Sequence, residues 1–304
     1  MITRRLFVKY AASAASVNLL GSASLRAQTP TLTLTELAPN TALISGGASN
    51  VLVRKAQSGE LLVVDGGLES GARDLLRTIE GNFGKGPITT LINTHWHPEQ
   101  TGLNAAVSNR STRIFAHERT RQWLSTPVTR LWQDFTIPAL PENARPNETF
   151  YHYGDFKHSD VPVEYGYLRQ AHTDGDMYVF FPADNVLHVG GVITSEGWPF
   201  MDWWTGGWIG GVVDAVETLL SIANDDTVIV PAQGSVMTRA DLIAQRDMYA
   251  DIFAKVRGSF TSANTVEQTV VSKPAGPYEA QFGNADEFIT LCHWSLIPHL
   301  TPDA

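Results

Sequence analysis

Short apolar runs, broken by Gly, Asn and Ser, punctuate the first part of the chain. Leu32–Leu37, Ala42–Ser45, Asn50–Arg54 and Leu61–Asp65 alternate or run apolar, which predicts strands. Leu61–Val64 is apolar throughout, the pattern of a strand covered on both faces, and it ends in Asp65-Gly66-Gly67. Over Gly71–Phe83 the period changes, and Leu75, Leu76, Ile79 and Phe83 share one side of a predicted helix. Ile88–Asn93 is a second buried-type strand, Thr112–Ala116 a third, and Glu118–Leu124 a short helix. Pro127–Asn147 is proline-rich and irregular, suited to a wall or lid. The rhythm then repeats. Val163–Gln170 reads as a strand, Met177–Phe181 and Asn185–Val189 as a hairpin across Pro182-Ala183-Asp184, Trp208–Ala223 as a helix and Thr227–Val230 as a strand. Thr238 with Asp241 has the spacing of a capping box and opens a helix to about Lys255. Two such halves predict an α/β fold, a four-layer αββα sandwich with both sheets buried and helices outside.

Composition narrows the partners. The 304 residues are 43% apolar and 17% charged, a globular balance, and the formal net charge of −9 disfavours nucleic acid and anionic lipid. A small-molecule substrate or ligand is expected instead. The N-terminus reads differently from the rest. Arg4 and Arg5 precede the mildly apolar run Tyr10–Leu20 and a group of small residues, the layout of a twin-arginine export signal over residues 1–27. That apolar run is too short for a stable membrane span, so a periplasmic location is expected. The folded unit is read as residues 30–255, with 256–304 a C-terminal extension packed on the same domain. The single cysteine, Cys292, excludes an intramolecular disulfide and reads as a small buried hydrophobe.

Three apolar strands stop at polar, Gly-flanked loops: THWHPEQTG at 94–102, HTDGD at 172–176 and PAQG at 231–234. Loops held at the ends of a rigid sheet are where sites are built. His95 and His97, two apart, can both turn inward, and His172 supplies a third imidazole. Three neutral nitrogen donors with one open position suit a catalytic type of zinc site. Asp174 and Asp176 read first as turn residues. Trp198, Trp203, Trp204 and Trp208 crowd the segment WPFMDWWTGGW; they read either as packing beneath a loop or as an aromatic wall that would bind an apolar substrate.

These residues, with LLVVDGG at 61–67, VLHVGG at 186–191 and VIVPAQG at 228–234, make the chain resemble the metallo-β-lactamase superfamily over roughly residues 30–255. The resemblance implies a first-metal site on His95, His97 and His172. It also exposes departures. The family's His-x-His-x-Asp-His motif has Glu99 and Gln100 in its last two positions here. Gly191 stands where the family places a second-metal carboxylate or thiolate, and Gln233 where it places a final histidine. Amide oxygens are weak donors for zinc and Gly191 has no side chain, so zero or one zinc ion is expected. Asp65 is expected to support the centre from behind the ligands. Reversing all four departures would, on sequence alone, be expected to rebuild the second site.

Two functions follow. One is an exported, single-zinc hydrolase of a small ester, lactone, thioester or amide, with Glu99 handling the proton of a water that the ion acidifies. The other is a non-catalytic binding protein with a degraded metal site and an aromatic cleft. The export reading has its own test. Replacing Arg4 and Arg5 with lysine should trap the precursor in the cytoplasm, as read by fractionation; an unchanged periplasmic yield would overturn it.

Overall fold

The computed structural model describes residues 31–109, 111–130 and 135–301, so the segment read as an export signal lies outside the described residues. Strands β1 (Thr33–Ala38), β2 (Thr41–Ser45), β3 (Val51–Lys55), β4 (Leu61–Val64), β5 (Ile88–Asn93), β6 (Arg113–His117) and β9 (Glu148–Phe150) form one sheet in that order. It is antiparallel from β1 to β4 and parallel from β4 onward. A second sheet holds β10 (Tyr153–His158), β11 (Val161–Tyr167), β12 (Met177–Phe181), β13 (Val186–His188) and β14 (Val228–Val230), with only the last pair parallel. A separate two-stranded ribbon joins β7 (Val128–Arg130) to β8 (Phe135–Ile137), within the stretch read as irregular.

Alternation along each strand sorts its side chains into three cores. Leu43, Leu52, Leu62, Val64 and Ile92 of the first sheet meet Val163, Val179, Val186 and Val230 of the second. Their sequence neighbours Ile44, Val51, Val53, Leu61, Val63 and Leu91 face the other way, onto Ala72, Leu75 and Ile79 of the helix Ala72–Phe83. On the far side of the second sheet, Leu187 and Ile229 pack beneath the helices Ile209–Ile222, Arg239–Thr261 and Asp286–Ser295. The layers are therefore α, β, β, α, as the period-2 pattern predicts. The capping box at Thr238 and Asp241 is formed, with Thr238 Oγ accepting from the Asp241 amide. That helix runs to Thr261, past the expected Lys255, because no proline interrupts it before Ala263 takes a positive φ of 57°. Among the described residues no helix is long and apolar enough to cross a membrane.

The sheets are tied at both ends. At the end where β5 stops, the Met177 amide donates to the Thr94 carbonyl at 3.0 Å, and the Asn50 amide donates to Ala232 at 2.7 Å. At the other end Asp184, in the β12–β13 turn, accepts from Thr41 Oγ1 at 2.7 Å and pairs with Arg54 at 2.7 Å.

Gly102 shows how tightly the histidine-bearing loop is seated. Its amide donates to Gly67 at 2.8 Å, and a Cβ on it would overlap the backbone of Gly67, Leu68 and Glu69. Gly102→Ala is expected to cost about 3 kcal/mol in urea unfolding, the scale of a severe overpacking. Gly81, inside the helix Ala72–Phe83 with nothing within 4 Å of its would-be Cβ, is the control. Gly81→Ala should stabilise by about 0.5–1 kcal/mol. Equal effects from the two substitutions would contradict this packing.

Candidate metal centre

Strand ends deliver the site. β5 runs straight into Thr94, His95, Trp96 and His97, all buried, and the loop after β11 carries His172. His97 ends in extended backbone (φ −62°, ψ 150°), and Pro98 then starts the single turn Pro98–Thr101. Proline fits there because the first turn of a helix has no use for its missing N–H.

The three imidazoles converge. One ligand atom from each of His95, His97 and His172 lies within 4.8 Å of the others. The rings stand nearly perpendicular in pairs, at 80° to 82° with centroids 4.8 to 4.9 Å apart, like three walls of a corner. His172 Nε2 and His97 Nδ1 are only 3.2 Å apart. Burial, helped by the neighbouring imidazoles, holds His95 well below the usual histidine range and pushes His172 down to about 3. Both are therefore neutral near pH 7 and carry a lone pair for a cation. Buried nitrogens of several histidines turned toward one point suit zinc, and this donor set leaves a position open.

The outward nitrogens of His95 and His97 are held. His95 Nδ1 lies 3.1 Å from Thr94 Oγ1, whose hydroxyl and amide donate to the Asp65 carboxylate at 2.8 to 3.0 Å. Asp65 thus reaches the centre through Thr94 and touches no ligand ring directly. It is fully buried, and that burial pushes its carboxyl up to about 8 against the two Thr94 contacts. His97 Nε2 lies 2.8 Å from Asp202 Oδ2, and Arg130 Nη2, which donates to the same oxygen at 3.3 Å, stands 3.4 Å from that nitrogen. Burial alone would raise the Asp202 carboxyl, but the His97 hydrogen bond and the Arg130 charge outweigh it and hold the group below its ordinary value. The sequence reading missed Asp202 and Arg130. The signal for Asp202 was an acid in the apolar segment WPFMDWW; Arg130 had none, since it comes from a ribbon remote in sequence.

The other singled-out positions are placed as follows. Glu99 is half-buried in the turn after His97 and lies outside the three-histidine cluster. Gln100 is buried and donates to Ser49 Oγ at 3.1 Å. Gln233 Nε2 reaches the Ala48 carbonyl at 3.5 Å. Gly191 lies against the centre itself: a Cβ there would stand 2.9 to 3.0 Å from His172 and 3.0 Å from His95. Asp176 accepts from the Thr173 amide and hydroxyl, closing the HTDGD turn. Trp198 stacks on Phe288, Trp208 on His299, and Trp203 packs edge-on against Trp294, so these three seat the loop on the C-terminal helices. Trp204 lies against Trp203 and is exposed. Among the described residues, Trp96, 4.8 Å from His97, and Phe200, 6.0 Å from it, bring aromatic rings beside the histidines.

Comparison with known proteins agrees with this geometry. In sequence, the chain is 23% identical over 153 residues to 2,4-dinitroanisole O-demethylase subunit alpha of Nocardioides sp., a match covering 48% of this chain and 42% of that protein. The chain thus spans less than half the length of that curated relative. In structure it is similar to a metallo-beta-lactamase from Pontibacter korlensis (TM-score 0.58, 17% identity), covering 73% of this chain and 100% of that one. It is also similar to the stereoselective inverting sec-alkylsulfatase Pisa1 of Pseudomonas sp. (TM-score 0.68, 16% identity), over 86% of this chain and 50% of that one. A sequence profile described as metallo-beta-lactamase superfamily matches residues 44–234, which hold all three histidines and both sheets' central strands, and on that match the chain belongs to the metallo-beta-lactamase superfamily.

Proposed function

We propose that the protein is an exported metallo-hydrolase that holds one zinc ion on His95, His97 and His172 and cleaves a small ester, lactone, thioester or amide. The observation that carries this reading is the corner of three buried imidazoles, two of them with the outward nitrogen already engaged. Zinc, when bound, supplies Lewis acidity toward a carbonyl oxygen and lowers the pKa of water. The chain supplies the rest. Glu99, two residues beyond His97, is the carboxylate proposed to take the proton from the attacking water. Phe200 and Trp96 offer an apolar side next to His97, which supports a substrate with an apolar part. The relatives carry names of a lactamase, an alkylsulfatase and an O-demethylase; they support a small organic substrate and leave the bond type open.

Support for a single ion comes from the positions that a second would need. Gln100 and Gln233 offer only amide oxygens, weak donors for zinc, while their Nε2 groups turn to Ser49 and Ala48, and Gly191 has no side chain and is crowded by two ligand rings. The space around Gly191 opposes the simple restoration that the sequence suggested, since a Cβ there would press on the His172 and His95 rings, which must give way slightly.

Elemental analysis of protein isolated from the periplasm should find about one zinc per chain, lost in His95→Ala and in His172→Ala; two tightly bound equivalents would overturn the reading. The combined variant Glu99→Asp, Gln100→His, Gly191→Asp and Gln233→His should still bind no more than one ion by calorimetry. Glu99→Gln should keep its zinc while hydrolysis of a chromogenic ester and lactone panel falls by about 100-fold or more. Metal-free, folded protein that turns over nothing in that panel would favour the binding-protein reading.

A further inference from the structure

One residue touches two of the three histidines, and nothing in the hydrolytic scheme above uses it. Asp202 is fully buried in the loop between Gly191 and the helix Ile209–Ile222. Its carboxylate meets His97 Nε2 at 2.8 Å, and its amide donates to the His172 carbonyl at 3.1 Å. Its own carbonyl accepts from Thr205 at 3.2 Å and from Gly207 at 3.0 Å, which fixes the loop around it. His97 follows a strand of the first sheet and His172 follows a strand of the second, so Asp202 links ligands that arrive from opposite halves of the molecule.

We propose that Asp202, backed by Arg130, is the positioning residue of the centre: it fixes His97 as the Nε2–H tautomer and so presents a bare Nδ1 toward His172. His97 Nε2 faces the Asp202 carboxylate at 2.8 Å, which can only accept, and Arg130 Nη2 at 3.4 Å, which can only donate; the much shorter contact assigns the proton to Nε2. A neutral imidazole has one proton, so the other nitrogen is left with its lone pair. That other nitrogen, Nδ1, is the one 3.2 Å from His172 Nε2. A buried carboxylate persists only if it is paired, and Arg130 supplies the second partner. Its Nη2 lies 3.3 Å from Oδ2, and its guanidinium lies 4.6 Å from the ring centre of Phe200. Arg130 closes β7 and, among the described residues of that ribbon, reaches Asp202 and His97.

The inference rests on the one-ion reading for its consequence, since a fixed tautomer matters most if Nδ1 binds metal. Its test therefore has a metal-free arm. In apo protein with 15N-labelled histidine, long-range 1H–15N correlation should show His97, assigned by its loss in His97→Gln, as the Nε2–H form. Asp202→Ala should convert it to a mixture, and Asp202→Asn, which keeps an acceptor, should restore it. In chelator competition, Asp202→Ala should weaken zinc binding by about 10–100-fold. Asp202→Asn and Arg130→Met should lose less than about tenfold, and they carry the test if Asp202→Ala does not fold. A wild-type His97 in the Nδ1–H form, or zinc affinity within twofold of wild type in all three variants, would overturn the proposal. If the wild type binds no zinc, the one-ion reading fails while the tautomer spectrum still decides this one.

Discussion

At their central strands both sheets are covered on both faces, and the placement of the polar groups follows from that constraint. Along β2 to β5 and β13 to β14, odd and even positions enter different cores, so the strand interiors leave little room for polar groups. Polar side chains are displaced to the strand ends, where backbone groups also need partners. Asp65, Thr94, His95, His188 and the PAQG turn all sit just there. The site is thus where the hydrophobic pattern stops, and it inherits its rigidity from strands that have one register available to them.

This explains why so much was legible in the chain itself. The double burial of Leu61–Val64 is written as an uninterrupted apolar run and that of Leu91 and Ile92 as a short apolar pair, and the residues next to each are the ones the structure gathers. His95, His97 and His172 could be grouped because each follows such a run closely. Asp202 and Arg130 could not, because their role depends on where a loop and a ribbon fold back, and neither carries a period or a spacing. The tryptophans were ambiguous for a related reason. Aromatic density reports a need for packing area but not the direction of packing, and Trp198, Trp203 and Trp208 point their rings toward Phe288, Trp294 and His299, in helices far along the chain.

His188 illustrates the cost of building at this edge. It is fully buried at the end of β13, its Nδ1 accepts the Gly190 amide at 3.2 Å, and its Nε2 stands 3.9 Å from Asp65. Burial pushes its pKa down to about 3, so it stays neutral where a free histidine would be partly charged. A neutral ring can remain there because it adds no net charge beside His95. Its sign follows from linkage: with the folded pKa depressed, the stability associated with His188 is present above the free histidine value near 6.5 and is lost as pH falls from there toward 3.

The clasp of Thr41, Arg54 and Asp184 lies at the opposite end of the sandwich from the histidines, yet it bears on them. A pair of plates joined at one end only would gape at the other, and the distance between His95 and His172 would breathe with every such fluctuation. Fastened at both ends, by this charged clasp and by the Thr94–Met177 and Asn50–Ala232 bonds, the plates hold a constant gap. The bite of the centre, the span across which its donors can close on an ion, is therefore a property of the whole sandwich and not of the loops that carry the ligands. Lengthening the turn at Asp184 would loosen this clasp from the far end of the molecule, without touching a single residue of the three-histidine cluster.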